Sequence, residues 1–140
     1  MIAILEEIAA WRQKKEAEEA NARYNDMVYH GLWDSENARG GNGTVHFYDW
    51  MKPEDAEGHG RLFSKLVVPP GASIGEHQHD GEFEVFYVIE GNPTVIDNGE
   101  AVDLKPGDMH LCPNGSKHSI ENRTDKDATV IALIMNDLSE

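Results

Sequence analysis

The chain has 140 residues, enough for one domain with a core of its own. It carries 26 acidic against 12 basic residues, a net charge of −14. That balance argues against nucleic acid and anionic membrane surfaces as partners, since both require basic patches, and the acidic residues are spread along the chain as a solvated surface.

Residues 2–23 predict a helix. Ile4, Leu5, Ile8 and Trp11 recur at helical spacing, and strong helix formers follow in RQKKEAEEANAR, where only alanines are apolar. Such a stripe predicts that the first turns dock on the main domain or on a partner. The opening MIAILEEIAAW is not a secretory signal, because Glu6 and Glu7 interrupt it and no basic segment precedes it. Tyr24 to Trp33 is ambiguous: its run MVYHGLW is apolar enough to pack but breaks at Gly31. Ala38 to Gly43, with three glycines, is a loop at the entry to the main domain. The expected division is a helical extension over 1–40 and a barrel domain over 41–140.

From Thr44 the apolar period changes to two. GTVHFYDW alternates as a strand, and RLFSKLVV, residues 61–68, forms another that Pro69-Pro70-Gly71 ends. EVFYVIEG is apolar on both faces, as in a strand covered on both sides. Asn98-Gly99 between TVID and EAVDL signals a two-residue hairpin turn. Pro106-Gly107 and Pro113-Asn114-Gly115 are further turns, and ATVIALIM, residues 128–135, is a last buried strand. Short strands with turn signals at this spacing predict an all-β sandwich or barrel. No apolar run reaches the ~20 residues of a membrane span.

Chemistry concentrates between Gly71 and Asn122. His77 and His79 stand at i and i+2, so on a strand they face one side. Asp80 to Phe83 is long enough for a hairpin loop, which would set Glu84 opposite His79, Phe86 opposite His77 and Val88 opposite Gly75. His118 arrives from a distant strand. Three imidazoles and one carboxylate make a ligand set for a single divalent transition metal, with Mn, Fe, Zn, Ni and Co all compatible.

Neighbouring residues divide by parity. Glu82 shares the face of Glu84 and reads either as a general base or as a solvated turn carboxylate; outside the ligand set, it is expected not to affect metal content. Glu76 alternates to the other face. His110 and Cys112 share one face beside the Pro113 turn, and His110 joins Glu82 as a candidate for proton transfer. Cys112 is the only cysteine, so no internal disulfide forms, which fits a reducing compartment and a cytoplasmic protein. No basic partner at defined spacing marks it as a nucleophile. His30, His46 and His59 lack ligand spacing and read as surface or packing residues. Phe86, Val88 and Ile120 are expected to wall the pocket, and Tyr87 to point outward.

The first segment fits G-x5-H-x-H-x4-E-x6-G with Gly71, His77, His79, Glu84 and Gly91. The second fits G-x5-P-x-G-x2-H-x3-N with Gly107, Pro113, Gly115, His118 and Asn122. Together these resemble the two motifs of the cupin superfamily, with no motif position missing, and the resemblance is expected to span Thr44 to Met135. It implies a jelly-roll β-barrel (a double-stranded β-helix) with the helical extension outside it, and metal bound by His77, His79, Glu84 and His118. It also implies association through sheets, here a homodimer, to which the apolar EVFYVIEG and ATVIALIM also point. Cupins include isomerases, epimerases, dioxygenases, decarboxylases, lyases, sensory domains and storage proteins. The expected function is a small metalloenzyme of isomerase, dioxygenase or lyase type, acting on a sugar derivative or an oxygenated acid. The alternative is a metal-containing cupin that binds or senses a small molecule without turnover.

Overall fold

A computed structural model describes residues 2–27 and 31–139. Helix α1 spans Ile2–Met27, a turn longer than the predicted end at residue 23. Ten strands follow: β1 Gly31–Glu36, β2 Thr44–Asp49, β3 Gly60–Val68, β4 Ser73–Gln78, β5 Glu82–Glu90, β6 Thr94–Asp97, β7 Glu100–Asp103, β8 Met109–Cys112, β9 Lys117–Glu121 and β10 Ala128–Asn136. Val28 to His30 lie outside the described residues, and with them the reading of His30.

The strands build two antiparallel sheets, one ordered β1-β2-β3-β10-β5-β8 and the other β4-β9-β6-β7. From β3 to β6 each connection carries the chain from one sheet to the other. The hairpin β6–β7 stays within one sheet, and β8, β9 and β10 resume the alternation. This is the jelly-roll barrel that the two motifs imply. Strand β1 pairs with β2 as an edge of the larger sheet, so the sheet takes in residues upstream of Gly41.

Turn chemistry explains the local corners. Asn98 and Gly99 both have positive φ, 48° and 88°, the pair of left-handed residues that a two-residue hairpin between right-twisted strands requires. Asn122 fastens the β9–β10 connection. Its amide donates to the carbonyls of Val68 and Lys126 at 2.8 and 2.6 Å, and its oxygen accepts from the Thr124 amide and hydroxyl. Its backbone bonds Gly71 and Ala72, so this motif residue ties the start of β4 to the end of β9.

Between the sheets, Phe47, Leu66, Val88, Val95, Ile120 and Val130 form the centre of a continuous buried core. Strand periodicity delivers them. In β10 the residues Ala128, Val130, Ala132 and Ile134 point inward, while Thr129, Ile131, Leu133 and Met135 line the opposite face.

The helix does not dock on the barrel, the first of the two surfaces its stripe predicts. Ile4, Leu5, Ile8 and Trp11 are all exposed, as is every described side chain from residue 3 to residue 19. The physical reason lies in its composition. The apolar residues occupy only the first turns, and the remainder, rich in charge, has no face to bury.

Candidate metal centre

The predicted hairpin between His79 and Glu84 does not form. β4 belongs to the smaller sheet and β5 to the larger, so Gln78 to Glu82 is a crossover between facing layers. His77 is paired instead with His118, directly across β4 and β9. Glu84 sits between Ile134 of β10 and Cys112 of β8, and Phe86 between Ala132 and His110. The four ligand candidates still converge, because the inward faces of the two sheets meet. Period-two alternation fixes a residue's face, but the partner strand depends on the whole sheet order.

Four donor atoms, one from each of His77, His79, Glu84 and His118, all lie within 4.8 Å of one another. Nε2 of His118 is 3.0 Å from Nε2 of His77 and 3.1 Å from Nε2 of His79. Oε1 of Glu84 is 2.9, 3.1 and 3.7 Å from the Nε2 atoms of His118, His79 and His77. Donors sharing an ion at ~2.1 Å and at right angles stand about 3.0 Å apart, so these separations suit a common divalent cation. Three of the four residues are buried, and the His77 side chain is only 9% exposed.

The outer nitrogen of each imidazole has its own partner. Nδ1 of His77 donates to the Gly75 carbonyl at 2.7 Å, and Nδ1 of His79 to Oε1 of Glu82 at 2.8 Å. Both partners only accept, so in the neutral rings the hydrogen is on Nδ1 and the Nε2 lone pair points to the centre. Nδ1 of His118 lies 3.3 Å from Nε2 of His110. Lone pairs aimed at one another across 3 Å repel unless a proton or a cation stands between them. The donor set therefore fits a metal ion.

Electrostatics agree with this arrangement. Burial opposes the charge of Glu84, but His118, His77 and His79, which donate to it from Nε2 when protonated, outweigh burial and hold the carboxyl below its usual range. His79 is raised, first by its bond to Glu84, against burial, and then by Glu82. His110 is lowered by burial and then by His118. It stacks on His118 with ring centres 5.4 Å apart, and Phe86 stacks on His118 at 5.1 Å.

Glu82 is not a solvated turn carboxylate. It opens β5, its side chain is only 15% exposed, and Arg61 clasps it through Nε and Nη2 at 2.8 and 2.7 Å. Arg61 was not legible as a site residue. Simple alternation along β3 sends it outward with Phe63 and Lys65. The β3–β10 register shifts at this point, pairing Ile134 with Leu62 but Met135 with Gly60. Gly60 permits the bulge, since a Cβ there would lie 2.5 Å from the Ile134 carbonyl oxygen. The bulge re-aims Arg61 towards the cavity.

A cavity of about 210 Å³ opens over His77, His79 and Glu84. Its apolar wall comes from Trp33, Phe47, Leu62, Leu66, Ile74 and Ile134 rather than from Phe86, Val88 and Ile120. Those three face inward as parity requires, but they lie deeper in the barrel as fully buried core. Trp33 stacks on Phe47 at 4.0 Å and donates its indole hydrogen to Asp49, so the edge strand β1 supplies one wall. Arg39 and Arg61 add positive charge to the lining.

The remaining candidates resolve simply. Cys112 is buried, and burial together with Glu84 and Asp97 pushes its thiol up to about 11, which leaves it protonated and inert. His46 is bonded to Asp34 on the surface, and His59 and Glu76 are exposed.

Comparison with known proteins agrees with the fold. A family model described as a cupin domain matches residues 64–134. The oxalate-binding protein of Thermotoga maritima is 39% identical over 99 residues, which are 71% of this chain and 82% of that protein. The crystal structure of a predicted oxalate decarboxylase from Thermotoga maritima superposes with a TM-score of 0.75 at 35% identity, covering 79% of this chain and 98% of that one. A shorter similarity, 37% over 51 residues, links 36% of this chain to 15% of the quercetin 2,3-dioxygenase of Bacillus subtilis.

Proposed function

The chain belongs to the cupin family, and on that premise we propose that it binds one divalent transition metal through His77, His79, Glu84 and His118 and holds a small, oxygen-rich acid beside it. The observation that carries this reading is the convergence of three Nε2 lone pairs and one carboxylate oxygen under an open cavity. When bound, the ion supplies Lewis acidity and coordination positions for a chelating ligand.

The chain's own residues define the ligand. The cavity is small, so it takes a molecule of few heavy atoms, and its apolar wall excludes water from that molecule's carbon skeleton. Arg61 is engaged by Glu82, whereas the Arg39 guanidinium has no side-chain partner among the described residues. Arg39 is thus the cation available to a carboxylate, which selects an acid over a neutral sugar. The similarity to an oxalate-binding protein supports that class.

Two forms of this reading differ in turnover. As an enzyme, the protein would catalyse a dioxygenase, isomerase or lyase reaction on the bound acid, and the dioxygenase relative favours the first. As a binding or sensing protein, it would hold the acid unchanged. The second form has its own support: Glu82 is committed to Arg61 and His79, His110 is stacked against His118 and Phe86, and Cys112 is buried and protonated. The deciding experiment loads the protein with Mn, Fe, Co, Ni or Zn, measures bound metal by elemental analysis, and titrates oxalate and larger hydroxy and keto acids calorimetrically. Oxygen uptake and product analysis on the tightest ligand then separate turnover from binding. Absence of stoichiometric metal under every condition overturns the reading.

We also propose a homodimer formed through the outer face of the larger sheet, where Tyr87, Ile89, Met109 and Leu111 are exposed side by side on β5 and β8. A single buried cysteine supports placement in the reducing cytoplasm. No described helix is long and apolar enough to cross a membrane.

A further inference from the structure

We propose that Glu82, clamped by Arg61, is the positioning residue for His79 and decides which of its two nitrogens faces the metal site. The inference rests on the metal reading above for its consequence, but its geometry is independent of any ion.

The chain of contacts is continuous. Arg61 holds both oxygens of Glu82, Nε on Oε2 at 2.8 Å and Nη2 on Oε1 at 2.7 Å. Oε1 of Glu82 in turn accepts from Nδ1 of His79 at 2.8 Å. Nε2 of the same ring lies 3.1 Å from Oε1 of Glu84 and 3.1 Å from Nε2 of His118. Both carboxylates only accept, but the Glu82 contact is the shorter and is braced by Arg61, so in the neutral ring it places the hydrogen on Nδ1 and leaves the Nε2 lone pair for coordination. Among the described residues, no other group bonds Nδ1 of His79. His77 differs, because its Nδ1 is held by the backbone carbonyl of Gly75, which no side-chain substitution removes.

Arg61 makes the arrangement rigid. A guanidinium fork fixes both position and rotation of a carboxylate, which a lysine ammonium does not. The β-bulge at Gly60 that turns Arg61 inward is therefore part of the metal centre, although it lies on a strand that carries no ligand. An anionic partner also raises the donor strength of the imidazole it holds, and loss of such outer partners lowers metal affinity by about 10–100-fold. The expectation that Glu82 is neutral to metal content is thereby replaced.

The test compares the wild type with Glu82→Ala, Glu82→Gln, Arg61→Ala and Arg61→Lys, each checked for folding by circular dichroism. Long-range proton–nitrogen NMR of the metal-free proteins, recorded as pH is raised from about 8 until the ring signals stop shifting, reads the tautomer of the neutral His79 ring directly. The wild type should carry hydrogen on Nδ1. Glu82→Ala should give a mixture, and Glu82→Gln, which keeps an acceptor oxygen, should restore the wild-type tautomer. Affinity for Mn and Co, measured by chelator competition, should fall about 10–100-fold in Glu82→Ala and less in Arg61→Ala and Arg61→Lys. Arg61→Ala should add nothing in the Glu82→Ala background. A wild-type ring protonated on Nε2, or a Glu82→Ala affinity indistinguishable from wild type, overturns the proposal. Wild-type protein that binds no metal sinks the proposed function instead, while the tautomer comparison still decides whether Glu82 sets the ring.

Discussion

His77 and His118 face each other as a register pair across β4 and β9, with their Nε2 atoms 3.0 Å apart. The pair belongs wholly to the smaller sheet, whereas Glu84 reaches it from the larger one. The centre therefore bridges the two layers of the barrel, and metal binding should couple to their packing.

Removal of His118 should abolish tight metal binding, because its Nε2 is the closest nitrogen to Glu84 and contacts both other rings. His118→Ala is expected to lower affinity by more than about 100-fold, beyond the loss of an outer partner. Glu84→Gln should be milder, since the amide oxygen still coordinates weakly. Elemental analysis after dialysis checks both, and a Glu84→Gln protein emptier than His118→Ala would contradict the assignment.

Metal affinity should fall with pH. His79 in the metal-free protein is raised above its ordinary value of 6.5, so protons begin to compete with metal above that value as pH decreases. The same raised value stabilises the metal-free fold below 6.5, a contribution lost as pH rises through the folded value. Glu82 behaves oppositely. Arg61 first, against burial and together with His79, lowers it from 4.5 to about 2, so its contribution is present above 4.5 and disappears as pH falls towards 2. Chelator competition across about pH 5–8 tests the first effect; an affinity that does not change with pH would be incompatible with imidazole ligands.

Cys112 should resist thiol reagents in the folded protein. It is fully buried and its thiol is pushed up to about 11. Reaction with a disulfide reagent near neutral pH should become fast only after denaturant is added. Rapid modification of the native protein would show that the β8 end of the barrel opens.

Asn122→Ala should destabilise the fold without removing the ligands. The side chain satisfies the Val68 and Lys126 carbonyls and the Thr124 amide from a buried position. Leaving such groups unpaired costs about 1–3 kcal/mol each. Urea unfolding should record the loss, with metal stoichiometry retained at low denaturant. An unchanged midpoint would mean that water replaces the amide.

Replacement of Tyr87 or Leu111 by Asp should convert a dimer to a monomer. Both side chains are exposed on the outer face of the larger sheet, 45% and 47%, and paired strands bring them together. Sedimentation at micromolar concentration reads the outcome, and a monomeric wild type would dispose of the interface.

The strands from Thr44 onward, the Asn98-Gly99 hairpin and the four ligand candidates were legible in the sequence, since each depends on neighbours a few residues apart, whereas strand β1 fell in a stretch read as part of the helical extension. Alternation assigned Tyr87 outward and set His110 and Cys112 on one face correctly, because pleating is a local property, although neither of the latter lines the cavity. The sequence also marked Cys112 as a poor nucleophile, and burial supplies the reason.

What alternation left open was decided by sheet order. The segment from His77 to Glu84 has the spacing of a hairpin, but its two strands fold into opposite layers, where each finds more apolar surface to cover than in a two-stranded ribbon. The same order seats Trp33 of β1 on Phe47 and gives the cavity a wall that Phe86, Val88 and Ile120 were expected to form. Arg61 depends on a single bulge, which shifts parity without any mark in the residues beyond Gly60. Local spacing thus picked out the four residues whose donor atoms converge. Only the packing of one sheet on the other determined what holds them, because hydrogen-bond partners across layers are set by contacts that no short stretch of chain encodes.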